Sequence, residues 1–254
     1  MSAKIKIGGI STVVIPFRES QPWEIYAETK DSTYPWFPNC LCFIGGNWGD
    51  APSVNDKSPR DTLIREITEE LDLSKHGEKY LSPRNTEKVL PEDVDMLASL
   101  IATIKAGIRP FGDYLQKIPT EVFCKQDPAR AKQKEAAGKP VTEVTGICSY
   151  NVCPLTDTTW GELLYLHSKF GRLSVESCDR PVSLDDIIRD GMKWIYAHQQ
   201  AAKDFFASYA RRSDYQHMPM IEGISSEKIG MPLASYDEYR KLYDIEKDPA
   251  KLKP

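Results

Sequence analysis

Glu66, Glu69 and Glu70 stand at i, i+3 and i+4 within Arg65-Glu66-Ile67-Thr68-Glu69-Glu70-Leu71, a spacing that gathers three carboxylates on one side of a helix. Like charges so placed destabilise an isolated helix by about 0.2–0.5 kcal/mol per pair, so the face needs solvent or a cation. Carboxylate oxygens are the ligands that hard divalent cations take, and Mg²⁺ commonly joins one or two of them to the phosphates of a substrate. Two readings follow: a solvated acidic surface, or a metal-assisted phosphate chemistry.

The element that must carry the glutamates is well marked. Ser58 is a good N-cap, Pro59 falls at the first helical position where its missing N–H is no loss, and Asp61 puts negative charge in the first turn. Leu63, Ile64, Ile67 and Leu71 recur at helical spacing, so Ser58 to Leu73 is expected to be a helix with an apolar stripe and a separate acidic face. Upstream, the apolar run Cys40-Leu41-Cys42-Phe43-Ile44 enters Gly45-Gly46-Asn47-Trp48-Gly49. It reads as a short strand ending in a Gly-Gly turn, where bare backbone can approach a metal or a phosphate.

Together these segments resemble the Nudix box, the signature of hydrolases acting on nucleoside diphosphates linked to another moiety. That box runs Gly, five residues, Glu, seven residues, then Arg-Glu-apolar-any-Glu-Glu-any-Gly-apolar. The match is strict from Arg65 to Leu73 and looser from Phe43 onward. It departs in three places. The chain has five residues more between Gly46 and Arg65, around Ala51 to Asp56; Lys57 stands where the isolated Glu belongs; and Asp72 replaces the late glycine.

The resemblance implies an α/β/α sandwich around a mixed sheet, Mg²⁺ or Mn²⁺ as cofactor, and hydrolysis of a pyrophosphate linkage in a nucleoside diphosphate derivative. Carried over residue by residue, it makes Glu66, Glu69 and Glu70 metal ligands and catalytic groups, and gives Gly45 or Gly46 a carbonyl contact to the ion. Arg65 orients the glutamates. A later carboxylate is also implied, for which Glu176 and Asp179 are the nearest candidates. Trp36 and Trp48 flank the box and are candidates to stack a substrate base. A non-catalytic nucleotide-binding or regulatory module of the same fold is the alternative, suggested by Lys57, the longer loop and the missing later Glu. The three intact glutamates favour the enzyme.

The chain of 254 residues carries a net charge of −4, which argues against a protein that coats nucleic acid; nucleic acid enters only as a capped or 5′-phosphorylated substrate. Six cysteines without a paired C-x-x-C pattern, and no secretory leader, fit reduced thiols in a cytoplasm. No stretch is apolar enough for a membrane span.

In chain order, Ile5 to Pro16 is expected to be a central strand, Trp23 to Ala27 a second and Leu41 to Ile44 a third. A helical pattern runs through Pro91 to Lys117 and ends near Gly107 to Pro110; Glu87 to Pro140, with basic residues Arg130, Lys132 and Lys134, reads as a largely helical insertion. Val141 to Leu155 returns to strand character, and Trp160 to His167 and Arg172 to Cys178 are expected as further strands. Ser183 with Asp186 then opens a long closing helix. Residues 1–212 would thus form the Nudix domain. Residues 213–254 read as an irregular C-terminal extension, suited to covering the site or to a homodimer contact. His167, His198 and His217 stand apart from the box and are expected to be structural or at the surface.

Overall fold

The computed structural model describes residues 3–32, 34, 37–49, 55–71, 89–126, 128–136, 138, 143–174 and 178–249. Among the described residues, an eight-stranded sheet with helices on both faces makes an α/β/α sandwich. Strand β2 (Ile10–Arg18) runs through its middle, parallel to β7 (Val144–Leu155) along its whole length. Its other edge is shared by β5 (Ile44–Asn47) and β3 (Glu24–Thr29), both antiparallel to it. Outward from β7 lie β6 (Arg109–Ile118) and β9 (Ser225–Gly230); β4 (Leu41–Cys42) and β8 (Cys178–Ser183) border β3. One parallel pair among antiparallel neighbours makes the sheet mixed.

Both faces are covered, and the alternation of β2 shows how. Val14 faces a core shared with Tyr26 and Ile44 and with helices α1 (Pro59–Glu70), α2 (Pro91–Gly107) and α5 (Asp157–Phe170). Val13, Ile15 and Phe17 face the other core, closed by α6 (Leu184–Arg189) and α7 (His198–Phe205). Helices α3 (Thr120–Gln126) and α4 (Pro128–Ala136) carry the basic stretch. Among the described residues, no helix is long and apolar enough to cross a membrane.

Several expectations need correction. The first strand is broken at Gly8-Gly9: β1 (Ile5–Ile7) leaves the main sheet and pairs in parallel with β10 (Tyr243–Ile245). Gly8 N–H donates to the Thr145 carbonyl there, which turns the chain. The largely helical insertion expected over Glu87 to Pro140 contains a strand, Arg109–Ile118, that is integral to the sheet. Its residues Phe111 to Tyr114 are buried in succession, which erases the period-2 signal of a half-exposed strand.

Trp160 to His167 is helix α5, not a strand: Thr156 caps it, Trp160, Leu163, Leu166 and Phe170 form its buried stripe, and Gly171 ends it in the left-handed region. Of the strand expected over Arg172 to Cys178, residues 172–174 are not strand and β8 includes Cys178, while residues 175–177 lie outside the described residues. The helix opened by Ser183 has the expected capping box, yet stops after six residues, where Gly191 takes a positive φ. Within the C-terminal extension the described residues, 213–249, are not irregular. They hold β9, helix α8 (Tyr236–Leu242) and β10.

Candidate active site

Helix α1 starts as its sequence dictates, with Ser58 Oγ accepting from Asp61 N–H at 3.2 Å. Leu63, Ile67 and Leu71 enter the core beneath it, and that fixes which way the glutamates point. Glu66 is turned onto β5. A Cβ on Gly46 would fall on the Glu66 carboxyl group, so only glycine admits this seat. Gly45 and Gly46 are not a turn but strand residues, paired with Val13 and Thr12. Gly45 has φ 140°, and a Cβ there would strike the Thr12 carbonyl oxygen.

Arg65 holds the acidic face in order. Its guanidinium is 2.8 Å from Glu66 Oε1 and 3.0 Å from Glu69 Oε2, and its Nε donates to Asp56 Oδ2 at 3.1 Å. The three glutamates have different surroundings: Glu66 lies on the glycine strand, Glu69 is half exposed, and Glu70 is buried. Among the described residues no three Asp, Glu, His or Cys side chains are gathered into a closed metal cage. Mg²⁺ does not require one, because it usually keeps waters and takes one or two carboxylates plus substrate phosphates. The hard oxygens of Glu66 and Glu70, with the bare backbone of Gly46 beside Glu66, fit an ion held partly by its substrate.

A row of polar residues crosses the sheet edge, where Glu28 on β3 is in register with Cys42 on β4 and Asp179 on β8. Asp179, one of the two candidates for the later carboxylate, is buried and occupied: Tyr26 Oη donates to it at 2.7 Å and Leu173 N–H at 2.8 Å. Burial pushes its pKa up to about 6. Glu176, the other candidate, lies outside the described residues, as does Trp36. Sequence reasoning missed Glu28. Its Oε2 accepts from Cys42 Sγ at 3.4 Å and lies 3.5 Å from Lys30 Nζ, while Oε1 has no hydrogen-bond partner among the described residues. The available signal was a carboxylate continuing the run Ile25-Tyr26-Ala27.

A cleft of about 910 Å³ opens beside β5, lined by Gly45, Gly46, Lys30, Tyr34, Gln116 and His198 among others. Trp48 is part of the lining but little exposed. Its ring is stacked on Tyr236 at 3.9 Å with the Arg240 guanidinium over it, and it is 5% exposed, so it serves a core cluster more than an open stacking surface. His198 is buried against Phe43, whose N–H donates to Nδ1 at 3.1 Å, and burial pushes its pKa down to about 3. His167 Nε2 is 2.9 Å from the Asp179 carbonyl oxygen, and His217 is exposed.

One solved structure that the chain matches is a NUDIX hydrolase. It comes from Alicyclobacillus acidocaldarius and is 14% identical, with 87% of this chain and 88% of that chain covered at a TM-score of 0.34. No family model matches the sequence, and no curated protein does. The reading of the site therefore rests on its own residues.

Proposed function

We propose that the chain is a metal-dependent hydrolase that cleaves a pyrophosphate linkage in a nucleoside diphosphate derivative. The observation that carries this reading is the seat of Glu66 on Gly46, a glycine that lines the cleft, with Arg65 beside it. A merely solvated acidic helix has no need to press a carboxylate against a side-chain-free strand.

Glu66 and Glu70 would hold the ion. When bound, Mg²⁺ or Mn²⁺ supplies charge neutralisation at the phosphates and acidifies the attacking water. Arg65 fixes Glu66 and Glu69 through charge-assisted hydrogen bonds, so their positions are set before substrate arrives. Glu66 stands at the glycine edge, where it can take the proton of the attacking water. Gly46 leaves room for the Glu66 carboxylate on the strand, and Lys30 places a cation in the cleft that Gly46 lines.

The test is hydrolysis of a panel of nucleoside diphosphate derivatives with Mg²⁺ or Mn²⁺, in the wild type and in Glu66→Gln and Glu70→Gln. Turnover that needs the metal and falls by about 10²-fold or more in both variants is expected. Nucleotide binding without turnover on any member would replace this reading by the binding module.

A further inference from the structure

The lining of the cleft carries two donors that the chemistry above does not use. A backbone N–H can only donate, so the contact from Phe43 makes His198 Nδ1 an acceptor, and the neutral ring carries its proton on Nε2. The ring is stacked on Phe43 at 5.3 Å and lies edge-on to Tyr150 at 5.4 Å, which fixes its plane. His198 is 6% exposed and lines the cleft, and its Nε2–H has no hydrogen-bond partner among the described residues.

Gln116 supplies the second donor. Its Oε1 accepts from the N–H of Ala197 at 3.3 Å, the residue immediately before His198. That bond assigns the amide orientation and leaves the NH₂ group for the cleft, which Gln116 also lines. Across the strand pair, Gln116 is in register with Gly146, which presents no side chain to fill the space. Two N–H donors are thus anchored at neighbouring points, with the rings of Tyr34 and Tyr196 in the same lining.

We propose that this part of the cleft binds the base of a 6-oxopurine nucleotide, His198 Nε2–H and the Gln116 amide donating to its O6 and N7. Guanine and hypoxanthine present two adjacent acceptors on that edge, whereas adenine places an amino donor beside N7 and cytosine offers a donor at N4. A donor pair therefore accepts the first two bases and faces another donor in adenine. The pocket volume lies within the usual range for small-molecule sites. A nucleotide whose base sits here would turn its phosphates to Gly45 and Gly46, which line the same cleft, so this inference rests on the hydrolase reading for its orientation.

The test is calorimetric binding of GMP, IMP and AMP to the full chain in chelator, where no anhydride bond and no metal are present. GMP and IMP are expected to bind about tenfold or more tighter than AMP. Gln116→Glu keeps an oxygen for the Ala197 N–H and replaces the donor with an acceptor, so it should cost GMP about tenfold or more and spare AMP. Gln116 is half-buried, which makes this variant safer for folding than one at His198. Equal binding of AMP and GMP, no GMP binding at millimolar concentration, or a Gln116→Glu variant with unchanged GMP affinity would each overturn the proposal. Selection of GMP by a protein that cleaves nothing would sink the hydrolase reading and leave this one standing; hydrolysis indifferent to the base would do the reverse.

Discussion

Gly46 is where sheet and helix meet so closely that one methyl group is too many. In Gly46→Ala the new Cβ displaces the Glu66 carboxylate, the far end of a flexible side chain, and meets no backbone of α1. We expect kcat to fall about 10²-fold, since a misplacement near 1 Å costs that much, and stability to fall by less than about 1 kcal/mol. Steady-state rates under saturating metal, with a urea melt of the same sample, check both; wild-type kcat in this variant would mean that the seat of Glu66 does not matter. Asp179 offers a second test. Its folded pKa of about 6 exceeds the ordinary carboxylate value, so the folded state binds more protons. Stability from this group is full below about pH 4 and is lost as pH rises through 6, by about 3 kcal/mol at most. Asp179→Asn keeps an oxygen for Leu173 N–H and removes the charge. Its stability relative to wild type should therefore rise between pH 4 and 7, and a difference flat with pH in urea titrations would refute the assignment. Glu66 and Arg65 were readable in the sequence because their relation is local, one turn of one helix. Glu28 and His198 were not, because what makes them notable is a cross-strand neighbour and a distant backbone N–H.

Elements with a signal of their own were legible, such as α1 and the β-branched run of β2, and β6 was not. Helix α1 carries a cap, a first-position proline and an apolar stripe, each independent of the rest of the chain. Strand β6 lacks such a signature, because Phe111 and Tyr114 are as buried as Gly112 and Asp113 between them. Helix α5 was mistaken for a strand because Trp160 to His167 is rich in aromatic and apolar residues, while its helical evidence, Thr156 and Gly171, lies outside that window. The contact of α8 with α1 is testable by itself. Tyr236 Oη and Thr62 Oγ1 share a buried hydrogen bond of 2.7 Å, and Tyr236 N–H donates to the Lys57 carbonyl at the entrance of α1. Tyr236→Phe keeps the ring on Trp48 and orphans the Thr62 hydroxyl, so unfolding free energy should drop by about 1 kcal/mol. No change in a chemical denaturation curve would show that a water replaces the bond.

At the scale of the molecule, residues near the two ends of the described chain are bound into one unit. Strand β1 pairs with β10, and Ile7, Ile10, Trp48, Tyr236 and Tyr239 share a core cluster that borders the glycine strand. Sequence alone could not reveal this, since it joins segments more than two hundred positions apart through a parallel pair with no turn to announce it. A buried polar trio also ties the C-terminal helix to the sheet. Asp113 on β6 accepts from Ser149 Oγ on β7 at 2.5 Å and from Tyr239 Oη on α8 at 2.5 Å, and Leu233 N–H donates to the same Tyr239 oxygen at 3.1 Å. Burial raises the Asp113 pKa, while the two hydroxyls pull it back down. Tyr239→Phe removes one of those donors and orphans Leu233 N–H, so its cost should be about 1–3 kcal/mol. The loss also frees the Asp113 pKa to climb further, and a carboxyl whose folded pKa is raised loses stability as pH increases. The deficit of Tyr239→Phe against wild type should therefore be larger at pH 8 than at pH 5. Urea unfolding of both proteins at the two pH values measures it, and an equal deficit at both would mean that Asp113 holds its charge without help from the C-terminal helix.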